Sequence, residues 1–272
     1  MKNLAPLFLL FFVLTACKTN PFTGKKTFNI YSSNDNLFAS SFQQYDKFLS
    51  ENDVVTGTSE SEMITRVGQK IAKAAQRWFE ANGQPGYLSK YKWEYQLVKD
   101  STVNAWCMPG GKIVFYTGIL PITQTETGVA VVMGHEVAHA LADHGAQRMT
   151  AGIAQQLGAI GTQIAVQNKD AQTQAVWMQA YGIGSTVGGM LPFSRSHETE
   201  ADRIGLQIMA IAGYNPDEAP ELWKRMKKAN EGKQPPEFLS THPSNDTRIL
   251  NLTQWSQAAK DEAKKFGVTA FR

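Results

Sequence analysis

The chain has 272 residues, of which 42% are hydrophobic and 19% charged, with a formal net charge of +3. That length can bury a sizeable core, and the ordinary balance of apolar and charged residues excludes a disordered or fibrous chain. The charge excess is small and no Lys/Arg run is dense enough to track phosphates, so nucleic acid is not an expected partner.

At the N-terminus Lys2 precedes an apolar run from Leu4 to Ala16, too short to span a bilayer but suited to the core of a secretory signal. Leu14-Thr15-Ala16-Cys17 resembles a bacterial lipobox, in which the cysteine is acylated and becomes the first residue. On this reading residues 1–16 are a removed signal peptide, 17–40 a lipidated N-terminus and tether, and 41–272 the folded body. The lipid bilayer, through acylated Cys17, is then an expected partner. Cys107 is the only other cysteine, so no disulfide framework is expected; it reads as a small buried hydrophobe ahead of any redox role.

Ser59 with Glu62 forms a capping box for a helix in which Ile64, Val67, Ile71, Ala75 and Trp78 recur at helical spacing until Asn82-Gly83. Trp93, Tyr95 and Leu97 alternate with polar residues as a half-buried strand does, and a second strand, Lys112 to Thr117, follows the Pro109-Gly110-Gly111 turn. Thr123 with Glu126 opens a helix expected to run to about Met149. Residues 150–193, rich in Gly, Ala and Gln, read as helices of weak local preference, serving either as a lid or as part of the core. Helices follow over Ser196–Ala212, after Asn215-Pro216 to near Gly232, and from about Asn245 to Lys265. Strands early and helices thereafter predict an α+β domain.

His135-Glu136-Val137-Ala138-His139 carries the chemistry. Residues four apart on a helix differ by only about 40° in direction, so both imidazoles face one point and can hold one Zn²⁺. Glu136 is adjacent, where it reaches a metal-bound water and can take its proton. A catalytic zinc needs a third protein ligand. His144 lies nine positions after His135, about half a turn round, and reads as a surface or structural residue. Glu198 is the better candidate: with Asp202 at i,i+4, one carboxylate binds the ion and the other fixes a ligand imidazole. His197 and Glu200 are the alternatives.

Several separate segments resemble one family, the zinc metallopeptidases that include the CAAX prenyl protease, the HtpX heat-shock protease, the mitochondrial Oma protease and bacterial periplasmic quality-control lipoproteins. They are Asn104-Ala105 with Pro109-Gly110-Gly111-Lys112-Ile113, then Gly134-His135-Glu136 with His139, Glu198-Thr199-Glu200-Ala201-Asp202, and Thr241-His242-Pro243 with Arg248. The resemblance implies a mainly helical zincin-like domain over 41–272, with a small sheet whose edge strand flanks the cleft. It also implies one Zn²⁺ per chain on His135, His139 and Glu198, with Asp202 behind them. The chain lacks the several membrane spans of the prenyl protease and HtpX, which leaves a single lipid-anchored catalytic domain like the Oma-like bacterial members.

The expected reaction is amide hydrolysis, with Glu136 as general base. Gly111, Lys112, Ile113 and Val114 are the expected substrate-binding segment, through strand addition that reads little side-chain identity. Unfolded or unassembled envelope proteins are therefore the expected clients, on the periplasmic face of a bacterial membrane. By resemblance His242 either takes zinc's fourth position and holds the enzyme latent, or assists the oxyanion together with Arg248, which otherwise is structural. Two rival functions are a zinc-containing chaperone or assembly scaffold, and a zinc enzyme acting on non-peptide amides.

Overall fold

The computed structural model describes residues 17–28, 30, 35–230 and 236–272. The signal-peptide reading of 1–16 lies outside them. The described residues form two compact units, those up to Leu37 with Ala142–Glu198, and Phe38–Leu141 with Thr199–Arg272.

The larger unit is an α+β body. After α1 (Asp35–Glu51) come β3 (Val54–Val55), α2 (Ser59–Ala81), β4 (Glu94–Val98), β5 (Ala105–Met108) and β6 (Lys112–Tyr116), β1 and β2 belonging to the smaller unit. A short α3 (Leu120–Thr123) then leads into α4 (Glu126–Leu141). The sheet order is β3-β4-β6-β5, with β4 and β6 parallel and the other two pairings antiparallel. One face of α2 is apolar at the predicted spacing, and Ile64, Val67, Ile71 and Ala75 are fully buried, each large aliphatic side chain contributing about 1.5–3 kcal/mol. Gly68 lets α2 approach the sheet, since a Cβ there would lie 2.1 Å from the Tyr95 ring. On the sheet's other side Tyr45, Val98 and Val114 form a cluster with Phe48 and Trp106 around it.

Both predicted helix starts shift slightly. Thr58, not Ser59, caps α2, accepting from Ser61 N while the Ser61 hydroxyl faces Thr58 N. Thr125, not Thr123, caps α4 through the amide of Gly128. That helix also ends earlier than expected, at Leu141, because Asp143 adopts a left-handed conformation, φ 55°, and a new helix begins at His144.

The expected docking strand is corrected by the topology. Lys112–Tyr116 is paired on both sides, to β4 and to β5, so Gly111, Lys112, Ile113 and Val114 do not form a free edge. Among the described residues the free edge on that side is β5, a strand short enough that its alternation carried no signal in sequence.

The smaller unit contains the antiparallel hairpin β1 (Cys17–Thr19) and β2 (Lys26–Phe28), then α5 (His144–Val166), α6 (Ala171–Ser185) and a π-helical turn, Thr186–Met190. The stretch read as a tether thus contains a strand pair, and its end at residue 40 falls inside α1. Helix α7 (Leu191–Ile211) crosses the unit boundary between Glu198 and Thr199 without interruption. The larger unit closes with α8 (Glu218–Ala229), α9 (Glu237–Thr241) and α10 (Asp246–Lys265), whose cap is Asn245, accepting from Arg248 N.

Candidate metal centre

Helix α4 is buried almost throughout, Gly128–Leu141 having no exposed face, so its polar residues need an internal purpose. His135 and His139 point the same way, as the spacing predicts, with their Nε2 atoms 3.1 Å apart. α7 reaches α4 because two glycines meet: a Cβ on Gly205 would stand 2.8 Å from the Gly134 carbonyl carbon and from His135 N. Three residues before Gly205, Asp202 places Oδ1 3.0 Å from His135 Nδ1. One turn earlier on the same unbroken helix is Glu198.

His135, His139, Glu198 and His242 each offer a donor atom within 4.8 Å of all the others, and all four residues are buried. His242 follows α9, with Nδ1 3.1 Å from His135 Nε2 and Nε2 3.4 Å from Glu136 Oε1. The donor set fits a zinc ion in chemistry: three imidazoles and one carboxylate are ligands that zinc accepts in tetrahedral sites. His135 Nε2 lies 3.1 Å from both His139 Nε2 and His242 Nδ1, and a cation among such buried nitrogens satisfies their lone pairs together.

Behind the imidazoles lies a second layer. Arg248 donates from Nε to Asp202 Oδ2 at 2.7 Å and from Nη2 to Oδ1 at 2.6 Å, a two-pronged grip on a carboxylate that is nearly fully buried. Burial pushes the Asp202 carboxyl up, but the Arg248 charge and the bond from His135 outweigh it and hold it below its usual value. The ionised carboxylate then accepts from Nδ1 and turns His135 Nε2 toward the pocket. Arg248 in turn lies flat on Trp223, its guanidinium carbon 3.4 Å from the ring centroid. Neither Trp223 nor Gly205 stands out in the sequence: the one looks like a core residue of an amphipathic helix, the other like an ordinary helical glycine.

Glu136 is buried beside His135 and touches His242. His144 is not with these residues; it is fully buried, stacked on His197 with ring centroids 4.1 Å apart, and His197 Nε2 lies 3.0 Å from Gln147 Oε1. Both histidines therefore pack within the smaller unit. Glu200, the other alternative ligand, is also outside the four-donor group. Burial, and then the nearby Glu136, push the Cys107 thiol well above its ordinary pKa, which removes thiolate reactivity at neutral pH.

A buried helix that presents two histidines and a glutamate, completed by a carboxylate from a later helix, defines a metallopeptidase-type centre. The chain belongs to peptidase family M48, whose model matches residues 59–256. It is 38% identical over 176 residues to the mitochondrial metalloendopeptidase OMA1 of Schizosaccharomyces pombe, covering 64% of this chain and 49% of that one. It is 36% identical over 209 residues to the OMA1 protein of Saccharomyces cerevisiae, covering 73% and 56%. Against the beta-barrel assembly-enhancing protease of Escherichia coli it is 30% identical over 168 residues, covering 60% and 34%. The matched part thus spans between about a third and just over half of these relatives.

Proposed function

We propose that the protein is a zinc metalloendopeptidase that is tethered to a bacterial membrane through acylated Cys17 and cleaves misfolded or unassembled envelope proteins. The observation that carries the reading is the convergence of His135, His139, Glu198 and His242 within 4.8 Å, with Glu136 alongside. Two lines support the client class: the relatives named above are a mitochondrial metalloendopeptidase and an assembly-enhancing protease, and a free strand edge, β5, packs near α4. The lipobox-like Leu14–Cys17 supports the tether and the envelope location.

His135, His139 and Glu198 would hold the ion, which when bound supplies a water acidified to a pKa of about 7 and polarises the scissile carbonyl. Glu136 accepts the proton and returns it to the leaving amine, as its place next to the first ligand requires. Asp202 and Arg248 keep His135 in one tautomer. Of the two roles expected for His242, its place among the ligand imidazoles supports latency, since there it would fill the position that solvent or substrate needs. Arg248 is committed to Asp202, which favours its structural role over an oxyanion role.

Degradation of casein by the mature protein tests the whole reading. Activity abolished by chelator and by Glu136→Gln, and raised by His242→Ala, is the expected result. A fall to zero in His242→Ala with zinc retained would make His242 catalytic instead. A zinc-loaded protein that cleaves nothing, even after His242 is replaced, is the scaffold, the reading a closed four-ligand shell would favour.

A further inference from the structure

Among the described residues, twelve large apolar side chains are exposed, and all but Leu250 belong to the smaller unit. They are ordered. Met149, Ile153, Leu157, Ile160 and Ile164 recur every three or four residues down one face of α5. Val176, Ile183, Val187 and Leu191 follow at spacings of seven, four and four residues from α6 through the π turn into α7.

The contacts between α5 and α6 have the opposite character. Tyr181 Oη donates to the Gln155 carbonyl at 2.7 Å, and Gln155 Nε2 donates to Ser185 Oγ at 2.9 Å. Gly158 lies under Tyr181, since a Cβ there would come 2.1 Å from the phenol oxygen. At about 100° per residue, Gln155 and Gly158 lie on roughly the opposite side of α5 from the Leu157–Ile160–Ile164 stripe. The hairpin is therefore polar and small-residued along its seam and apolar on its outer flanks, the reverse of a hairpin built for water and the pattern of helices packed in lipid. Between Met149 and Ser194 the only charged residues are Lys169 and Asp170, in the turn.

A second copy of the chain, or a folded partner, would cover one flank and leave the other wet; a hairpin sunk to the boundary between headgroups and acyl chains meets lipid along both. The same unit holds Cys17 at the start of β1, joined to α5 through the hydrogen bond from Ile30 N to Thr150 Oγ1 at 3.3 Å. Lys25 and Lys26 are exposed in that hairpin, in keeping with an anionic headgroup layer. No described helix is long and apolar enough to cross a membrane, which assigns the contact to the interface rather than to a span.

We infer that the α5–α6 hairpin docks on a bilayer surface, its apolar flanks entering the boundary between headgroups and acyl chains. This rests on and deepens the membrane-tether reading of Cys17, because the hairpin belongs to the same unit as that cysteine, yet it is testable without that lipid. The test uses the chain from residue 17 with Cys17→Ser, floated with vesicles of phosphatidylethanolamine and phosphatidylglycerol. The protein should float with the vesicles. Brominated acyl chains should quench part of its tryptophan emission, and Trp177→Phe should remove that part, Trp177 being 57% exposed. Replacing Leu157, Ile160 and Ile164 together by Gln should lower the bound-to-free ratio by about tenfold or more, with helix content and casein cleavage unchanged. Failure to float, or binding and quenching indifferent to these substitutions, would overturn the inference. So would a concentration-dependent dimer that the triple variant abolishes, since that identifies a second copy as the occupant. Acylation of Cys17 is read separately, from the mass of the N-terminal peptide of the full chain, so the two readings fail independently.

Discussion

Gly134 and Gly205 meet backbone to backbone, and this contact sets how closely the helix bearing His135 and His139 approaches the helix bearing Asp202. Gly205→Ala places a methyl group 2.8 Å from Gly134 C and His135 N, with no flexible side chain to yield. Thermal or urea unfolding should show a loss of about 1–3 kcal/mol, the usual penalty of overpacking. Metal content by atomic absorption should fall with it, because His135 moves relative to Asp202.

Asp202→Asn tests the layer behind the imidazoles. The amide keeps the shape but loses the charge and one acceptor oxygen, so it holds His135 Nδ1–H more weakly and no longer answers the Arg248 charge. Zinc affinity, measured by competition with a chelating dye, should weaken by about 10- to 100-fold. Arg248→Met should destabilise the fold by about 3–5 kcal/mol by leaving a buried carboxylate with its bond from His135 but without its cationic partner. In the double variant, that penalty should largely disappear.

Glu136→Gln separates chemistry from binding. Its carboxylate is not among the four convergent donors, so the variant should keep its zinc while casein cleavage falls by about two to four orders of magnitude. Loss of zinc in this variant would show that Glu136 is structural.

Glu126, the first residue of α4, gathers Arg66, Lys70 and Tyr214: Arg66 Nη2 at 2.9 Å, Lys70 Nζ at 3.1 Å and the Tyr214 hydroxyl at 2.7 Å. The hydrogen bond from Arg66 is the largest cause of a pKa drawn down to about 2 from 4.5, against a smaller upward push from burial. A carboxylate depressed in the fold stabilises it above the unfolded value and loses that contribution as pH falls from about 4.5 toward about 2. Glu126→Gln should therefore lower stability at pH 7 by about 1 kcal/mol, and its unfolding midpoint should respond less to pH across that acid window.

The imidazole pair, the third carboxylate and the α2 periodicity were legible because each rests on spacing within one helix, which sequence displays directly. His242 was reachable only through resemblance, since nothing local distinguishes a His-Pro step that closes on a centre over a hundred residues away. Trp223 and Gly205 were not legible, because their role is a contact between helices and not a pattern along one. The free edge of the sheet is not legible for the same reason: strand order is a property of pairing, and β5, four residues long, shows no alternation to mark it. The break at Asp143 was missed because a left-handed residue that is not glycine leaves no compositional trace.

The brevity of β5 bears on what such an enzyme could recognise. A rim of four residues, Ala105–Met108, extends only about 13 Å, and in an extended chain every second residue turns its amide and carbonyl outward. A visiting polypeptide therefore gains only about two reciprocal pairs of main-chain bonds there. Docking of that size is weak and brief, and selects for slackness in the visitor: any folded protein would need to surrender only a short stretch, and a well-knit one would not.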